Sequence, residues 1–341
     1  MRAVVIREHG SPEVLRSEEI ADPSPRPGEV LVRVRAVALN HLDVWMRMGQ
    51  AARTVAFPHV LGSDVAGEIV SANGVEGLAP GARVMLAPGV SCGRCRSCLG
   101  GTDNFCRQYR LLGLELHGGY AEKVRCPAAN VVELPDGISF EEAAAFPLVF
   151  VTAWHMLVTR ARLQPGESVL VWGAGSGVGT AAIQIAKVLG ARVLATAGDE
   201  AKLEKARSLG ADATVSHATG DVPKEVRRFT EGKGVDVVFE HTGSATWERS
   251  VLSLAHGGRL VTCGATTGPG AAIDLRRLFA KQLSLLGSYM GSKAELLDVA
   301  SLFFARKVRP VVHAVLPLAD ARKAHEEMEA SRHFGKIVLV P

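Results

Sequence analysis

Two rhythms of apolar residues divide the chain. Up to about residue 149, short apolar or alternating runs stand between Gly and Pro turns. Residues 3–6, 30–37, 65–70 and 82–86 read this way, the second run following the turn signal Pro25-Arg26-Pro27-Gly28. Strands at this density without long helices predict a β-rich, barrel-like unit. From Glu167 the pattern changes. Short apolar runs at 169–172, 192–196, 213–216, 235–240, 259–263 and 283–286 alternate with helix-length segments at 177–189, 200–208, 222–231, 245–255 and 275–281, most of them amphipathic. Six buried strands with crossover helices predict an α/β unit, a doubly wound parallel sheet of the Rossmann type. Beyond residue 290 come another helix and a last apolar run, 336–340. That run suits a strand returning to the first unit, so the expected division is 1–149 with 289–341 against 150–288.

The first strand of the α/β unit leads into Gly173-Ala174-Gly175-Ser176-Gly177-Val178-Gly179. A strand, a glycine turn and a helix in that order let backbone approach a pyrophosphate and aim helix N–H groups at it. No register matches the dinucleotide fingerprint literally; the nearest frame has Ala174 and Ser176 in place of two glycines. The alternative is a tight structural turn, and the alternating strands around it favour the dinucleotide reading. The second strand ends at Ala197-Gly198-Asp199, with no acid at the position that holds a ribose 2′-hydroxyl. Gly198 leaves room for a 2′-phosphate and Lys202 can meet it, while Asp199 argues the other way. NADP(H) is expected, with NAD(H) left open.

Six cysteines occur, and Cys92, Cys95, Cys98 and Cys106 fall within one Gly/Arg-rich stretch. Four thiolates at this spacing suit one tetrahedral zinc ion. With every ligand a cysteine, the site has no open position, so its role is structural. An iron–sulfur cluster or free thiols are the alternatives. Cys126 and Cys263 lie in strand-like contexts and read as buried small residues.

Length and composition add limits. At 341 residues the chain exceeds the usual size of one compact domain, and 47% hydrophobic with 22% charged residues is ordinary for a globular protein. The net charge of +4 is spread along the chain, which gives no case for nucleic acid. No signal-peptide pattern is present and no uncharged apolar run approaches the ~20 residues of a membrane span. A cytoplasmic protein without membrane partners is expected.

Taken together, the β-rich first part, the four-cysteine lobe and the Rossmann pattern resemble the medium-chain dehydrogenase/reductase superfamily over essentially the whole chain. Gly62-Ser63-Asp64-Val65-Ala66-Gly67-Glu68, Gly118-Gly119-Tyr120-Ala121-Glu122, Thr152-Ala153-Trp154 and Gly257-Gly258-Arg259-Leu260-Val261 carry the resemblance. The turn with Ala174 and Ser176 looks most like the quinone-reductase branch. The resemblance implies a GroES-like catalytic domain beside the dinucleotide domain, and a homodimer or homotetramer with a small-molecule substrate. It also implies that Thr152, Thr242, Gly243, Cys263 and Gly264 join the cofactor site.

Zinc alcohol dehydrogenases of this superfamily draw catalytic ligands from Cys-His-x-Asp, Gly-His-Glu and a later Cys. Here the corresponding residues are Asn40, Ser63 and Leu148, which lack the soft or imidazole ligands zinc prefers. Leu42 replaces the hydroxyl that begins the proton relay. The resemblance therefore implies a hybrid that keeps the structural zinc and lacks the catalytic one. Without a Lewis acid, hydride transfer to an already polarised carbonyl, enone or quinone is the expected chemistry. Asn40 or Ser63 would donate to the oxyanion and His41 or Tyr289 would deliver a proton, with Asp43, Thr152 and His155 nearby. Asp43 reads equally well as a structural hydrogen-bond acceptor. Two other readings stay open: an alcohol dehydrogenase with a metal site rebuilt from His41, Asp43, His59, Asp64 or His155, and a dinucleotide-binding redox sensor.

Overall fold

The computed structural model describes residues 1–51 and 54–341. The chain forms two compact units. The first comprises Met1–Leu148, Ser292–Ala305 and Arg309–Pro341; the second comprises Val149–Gly291 and Arg306–Val308.

The first unit is built on the strand Glu29–Ala38. Its alternation sends Val30, Val32, Val34 and Ala36 into the core and Arg33 and Arg35 outward, the period-2 pattern of a half-buried strand. Three strands pair antiparallel with it: Asp64–Ala72, Lys123–Pro127 and Lys336–Val340. The last of these is the carboxy-terminal run, and it also pairs in parallel with Val312–Pro317. Asp64 and Lys336 thus begin strands on either side of the central strand, and Asn40 follows that strand's end as the N-cap of the helix His41–Arg47. On the far side of Asp64–Ala72 the sheet continues through Arg83–Leu86 to Val131–Glu133, and a three-stranded sheet around Arg2–Ile6 and a small ribbon by the cysteine lobe complete the unit's strands among the described residues.

The second unit is a six-stranded sheet with every neighbouring pair parallel. From edge to edge its strands are Ala213–Ser216, Arg192–Ala197, Ser168–Val171, Val235–Glu240, Leu254–Thr262 and Ser284–Gly287. The chain starts in the middle, winds to one edge, then returns and winds to the other. The order reverses between Ser168–Val171 and Val235–Glu240, so the loops after these two strands flank the crevice where such sheets bind ligands. Leu170, Trp172, Val226, Val238 and Leu260 belong to the core beneath it. Each fully buried apolar side chain of that size contributes about 1.5–3 kcal/mol.

One predicted element is redrawn. The helix expected over 245–255 spans only Trp247–Ser253, and the next strand starts at Leu254. Leu254 pairs with Val235, and a bulge carries the register on to Arg259 opposite Val237. Burial of Leu254 against the sheet outweighs the helical propensity of its neighbours. Among the described residues, no helix is long and apolar enough to cross a membrane.

Candidate functional sites

The glycine turn in the second unit is shaped by one close approach after another. Gly173 has φ +57°, and a Cβ there would stand 3.0 Å from the His241 ring. At Gly179 a Cβ would run into the Gly173 carbonyl oxygen and stand 2.9 Å from Ser176 Oγ. Both positions therefore need glycine. Ser176 is the N-cap of the helix Gly177–Val188, its Oγ accepting from the Gly179 N–H at 2.9 Å. The remaining N–H groups of the first helical turn stay free for an anion. His241 lies behind the turn, its Nε2 2.9 Å from the Trp172 carbonyl oxygen and 3.3 Å from Ser176 Oγ. Burial lowers the pKa of this imidazole.

Beside it, the loop after Val235–Glu240 is pinned by a buried carboxylate. Glu240 accepts from the Thr242 N–H at 2.6 Å, the Gly243 N–H at 3.1 Å, Thr246 Oγ1 at 2.9 Å and Ser250 Oγ at 2.6 Å. Cys263 follows the neighbouring strand, its thiol pushed up to about 12 by burial and by Glu240. A Cβ at Gly264 would stand 2.7 Å from the His241 carbonyl oxygen. The four expected cofactor residues Thr242, Gly243, Cys263 and Gly264 thus gather around the Glu240–His241 corner.

At the end of the second strand, Gly198 faces His217: a Cβ there would lie 3.5 Å from His217 Nε2. His217 Nδ1 is 3.2 Å from Thr196 Oγ1, and its carbonyl accepts from Arg249 Nη1 at 3.1 Å. Arg249 also stacks 5.0 Å over the Trp172 ring. Burial lowers the His217 pKa, with Arg249 and Lys202 adding to the effect and Asp199 opposing it. Asp199 caps the following helix through the Lys202 N–H at 2.9 Å. The corner therefore holds two cations, one imidazole and one carboxylate.

In the first unit the three positions that correspond to catalytic zinc ligands draw together around Asp64. Asn40 Nδ2 donates to Asp64 Oδ2 at 2.9 Å, and the Leu148 N–H donates to Asp64 Oδ1 at 2.9 Å. Ser63, next in sequence, is buried with its Oγ lacking a hydrogen-bond partner. A cation already sits in this centre. Lys336 Nζ is 3.0 Å from Asp64 Oδ2 and 2.5 Å from Asn40 Oδ1, with Lys336 only 3% and Asp64 0% exposed. Asp43 accepts from the Asn40 N–H at 2.8 Å and the Gly62 N–H at 2.9 Å. Burial pushes its carboxyl up to about 6 despite those bonds and the nearby ammonium.

The cysteines form the second site of this unit. The sulfurs of Cys92, Cys95, Cys98 and Cys106 all lie within 4.8 Å of one another, with Cys92–Cys98 at 3.8 Å and Cys95–Cys98 at 3.5 Å. Four thiolates about 2.3 Å from a tetrahedral zinc stand roughly 3.8 Å apart, so the constellation fits that ion. N–H groups of Arg94 and Cys95 lower the Cys92 thiol to about 6, while hydrogen bonds from the neighbouring sulfurs push Cys95 up to about 11; the four sulfurs share their hydrogens, which a metal cation would displace. Among the described residues this is the one such group of three or more His, Cys, Asp or Glu ligand atoms. His41, Asp43, His59, Asp64 and His155 are not brought into another.

Three further expected residues lie in the second unit: Thr152, buried with Oγ1 4.0 Å from Met290 Sδ, His155, also buried, and Tyr289, 49% exposed. His41 opens its helix with its ring 5.3 Å from Trp45. Sequence reasoning missed Lys336, His241, Glu240, His217 and Arg249. Only Glu240-His241 carried a local signal, since it ends the fourth strand at the switch point.

A doubly wound sheet with a glycine cradle at its switch point, in a chain with a β-rich unit and a four-thiol lobe, defines a dinucleotide-type oxidoreductase. The comparisons agree. Residues 26–136 match the family model "Alcohol dehydrogenase GroES-like domain" and residues 177–305 match "Zinc-binding dehydrogenase". The chain is 33% identical to an NAD-dependent alcohol dehydrogenase of Sulfurisphaera tokodaii, covering 100% of both. It is 30% identical to a quinone oxidoreductase of Homo sapiens, covering 100% of this chain and 98% of that one. A crystal structure of an NAD-dependent alcohol dehydrogenase superposes with TM-score 0.97 at 50% identity, over 100% of both chains. The chain belongs to the medium-chain dehydrogenase/reductase superfamily and is an oxidoreductase.

Proposed function

We propose that this enzyme uses NAD(P)H to reduce an activated carbonyl, enone or quinone, without a catalytic metal. One observation carries the reading: the Lys336 ammonium bonded to Asn40 and Asp64, where family members with catalytic zinc hold the ion. A divalent ion there would meet a fixed positive charge and an Asn–Ser–Leu ligand set. Reduced nicotinamide, when bound, supplies the hydride. The chain's own residues then have simple tasks. Lys336 and Asp64 hold the Asn40 amide, and Ser63, a buried hydroxyl without a partner, offers its hydrogen to the substrate oxygen. The Cys92, Cys95, Cys98 and Cys106 set would hold one structural zinc ion.

For the cofactor, NADPH is the proposed preference. Lys202 and Arg249 give the Gly198 corner two cations against the single carboxylate of Asp199, and a 2′-phosphate would be drawn to that balance. A homodimer or homotetramer is proposed as well, supported by the open edge at Ser284–Gly287 and by the exposure of Leu275 and Phe279.

Metal analysis and a turnover panel test these proposals together. One zinc per chain with NADPH-dependent reduction of quinones, enones or aldehydes is expected. Two metals per chain with alcohol oxidation would refute the metal-free mechanism. Arg249→Ala is expected to raise KM for NADPH while leaving KM for NADH nearly unchanged; equal effects would overturn the cofactor preference.

A further inference from the structure

Ser176 stands where the dinucleotide fingerprint has a glycine, and its hydroxyl is surrounded by donors. The Gly179 N–H points to its oxygen at 2.9 Å. On the other side His241 Nε2 lies 3.3 Å away. That nitrogen is also 2.9 Å from the Trp172 carbonyl oxygen. A carbonyl can only accept, so Nε2 must carry the ring's hydrogen. With its one hydrogen directed to the Trp172 carbonyl oxygen, Nε2 offers Ser176 no lone pair, and the Gly179 N–H is itself a donor, so the Ser176 hydrogen has no acceptor in either contact.

We infer that His241 is a positioning residue that fixes the Ser176 hydroxyl as a donor to the cofactor pyrophosphate. A glycine at position 176 would give the phosphate space; the serine gives it a hydrogen bond in addition to the helix N–H groups. The His241 tautomer, set by the Trp172 carbonyl, prevents the hydroxyl from turning back to donate into the ring. Gly173 permits this arrangement, because a side chain there would stand 3.0 Å from the imidazole. The inference rests on the nicotinamide-cofactor reading and adds a role to two residues of that site.

The test is titration of the zinc-loaded enzyme with NADPH and with NADH, followed by fluorescence quenching, in Ser176→Ala, His241→Phe, His241→Gln and Ser176→Ala/His241→Phe. Loss of one hydrogen bond to a charged group weakens binding about tenfold. Ser176→Ala and His241→Phe are each expected to lose about that factor, with KM for the cofactor rising and kcat nearly unchanged. His241→Gln, whose amide nitrogen can replace Nε2, is expected to restore most of the affinity. The double variant is expected to bind no more weakly than Ser176→Ala alone, because His241 acts only through the Ser176 hydroxyl. Losses that multiply in the double variant would show His241 acting on the turn independently of Ser176 and would overturn the inference. Equal binding by all four variants and the parent would also overturn it. A parent enzyme that binds neither NADPH nor NADH would refute the cofactor reading itself, a result distinct from the first two.

Discussion

Lys336→Met removes the ammonium from the centre of the first unit and leaves Asp64 charged and buried. The pair is nearly dry, at 3% and 0% side-chain exposure, with 3.0 Å between Nζ and Oδ2. At an effective dielectric of about 20, two unit charges at that separation attract by about 5.5 kcal/mol. Removing one partner of a buried pair typically costs 3–5 kcal/mol, much of it the penalty on the charge left behind. A cost of about 3–5 kcal/mol would lower the melting temperature of a unit this size by roughly 6–20 °C. Met fills most of the volume, so the loss is electrostatic and separable from packing. Differential scanning calorimetry of Lys336→Met, Asp64→Asn and the double variant gives the test. In the double variant the unpaired charge is gone, and at least about 2 kcal/mol of the single-variant loss should return. If the two single effects add in the double variant, the ion pair is not what Lys336 contributes, and its ammonium no longer counts against a metal at this centre.

Other consequences can be checked more briefly. Asp43 is held near 6 in the folded chain against 3.8 for the free carboxyl. Its contribution to stability is therefore full below about pH 4 and is lost as pH rises through 6, an effect of about 3 kcal/mol. Urea unfolding from pH 4 to 7 should show that decline, and Asp43→Asn should flatten it; an unchanged slope would place the titration elsewhere. Gly179→Ala puts a methyl against the Gly173 carbonyl and Ser176 Oγ, so dinucleotide affinity should fall roughly tenfold or more with little change in far-UV circular dichroism. Cys98→Ser removes one of four sulfurs from the lobe. Zinc content should drop well below one per chain with a lower melting temperature, while retention of stoichiometric zinc would show that the four thiols are not the ligand set.

Local patterns in the chain were enough to predict much of this protein. The strands Ser168–Val171 and Arg192–Ala197 fall where the runs at 169–172 and 192–196 predict them, because an inner parallel strand is covered on both faces and is buried almost throughout. The glycine turn and the four-cysteine lobe were equally legible. Their geometry depends on neighbours a few residues apart, and the spacing itself states it. Where long-range pairing competed with local propensity, as at Leu254, the prediction failed.

What the tertiary structure alone decided is which polar groups meet. Lys336 opens a Lys-Ile-Val-Leu-Val strand and reads in sequence as an ordinary solvated strand end. It is buried because that strand pairs with Glu29–Ala38, which brings its ammonium to Asn40 and Asp64 from 296 and 272 residues away. His241 reaches Trp172 and Ser176 across gaps of 69 and 65 residues in the same way. Hydrophobic periodicity records which face of an element is covered. It carries no information about which residue covers it, and the pairing of charges and hydrogen bonds at these sites is fixed only when the strands have closed.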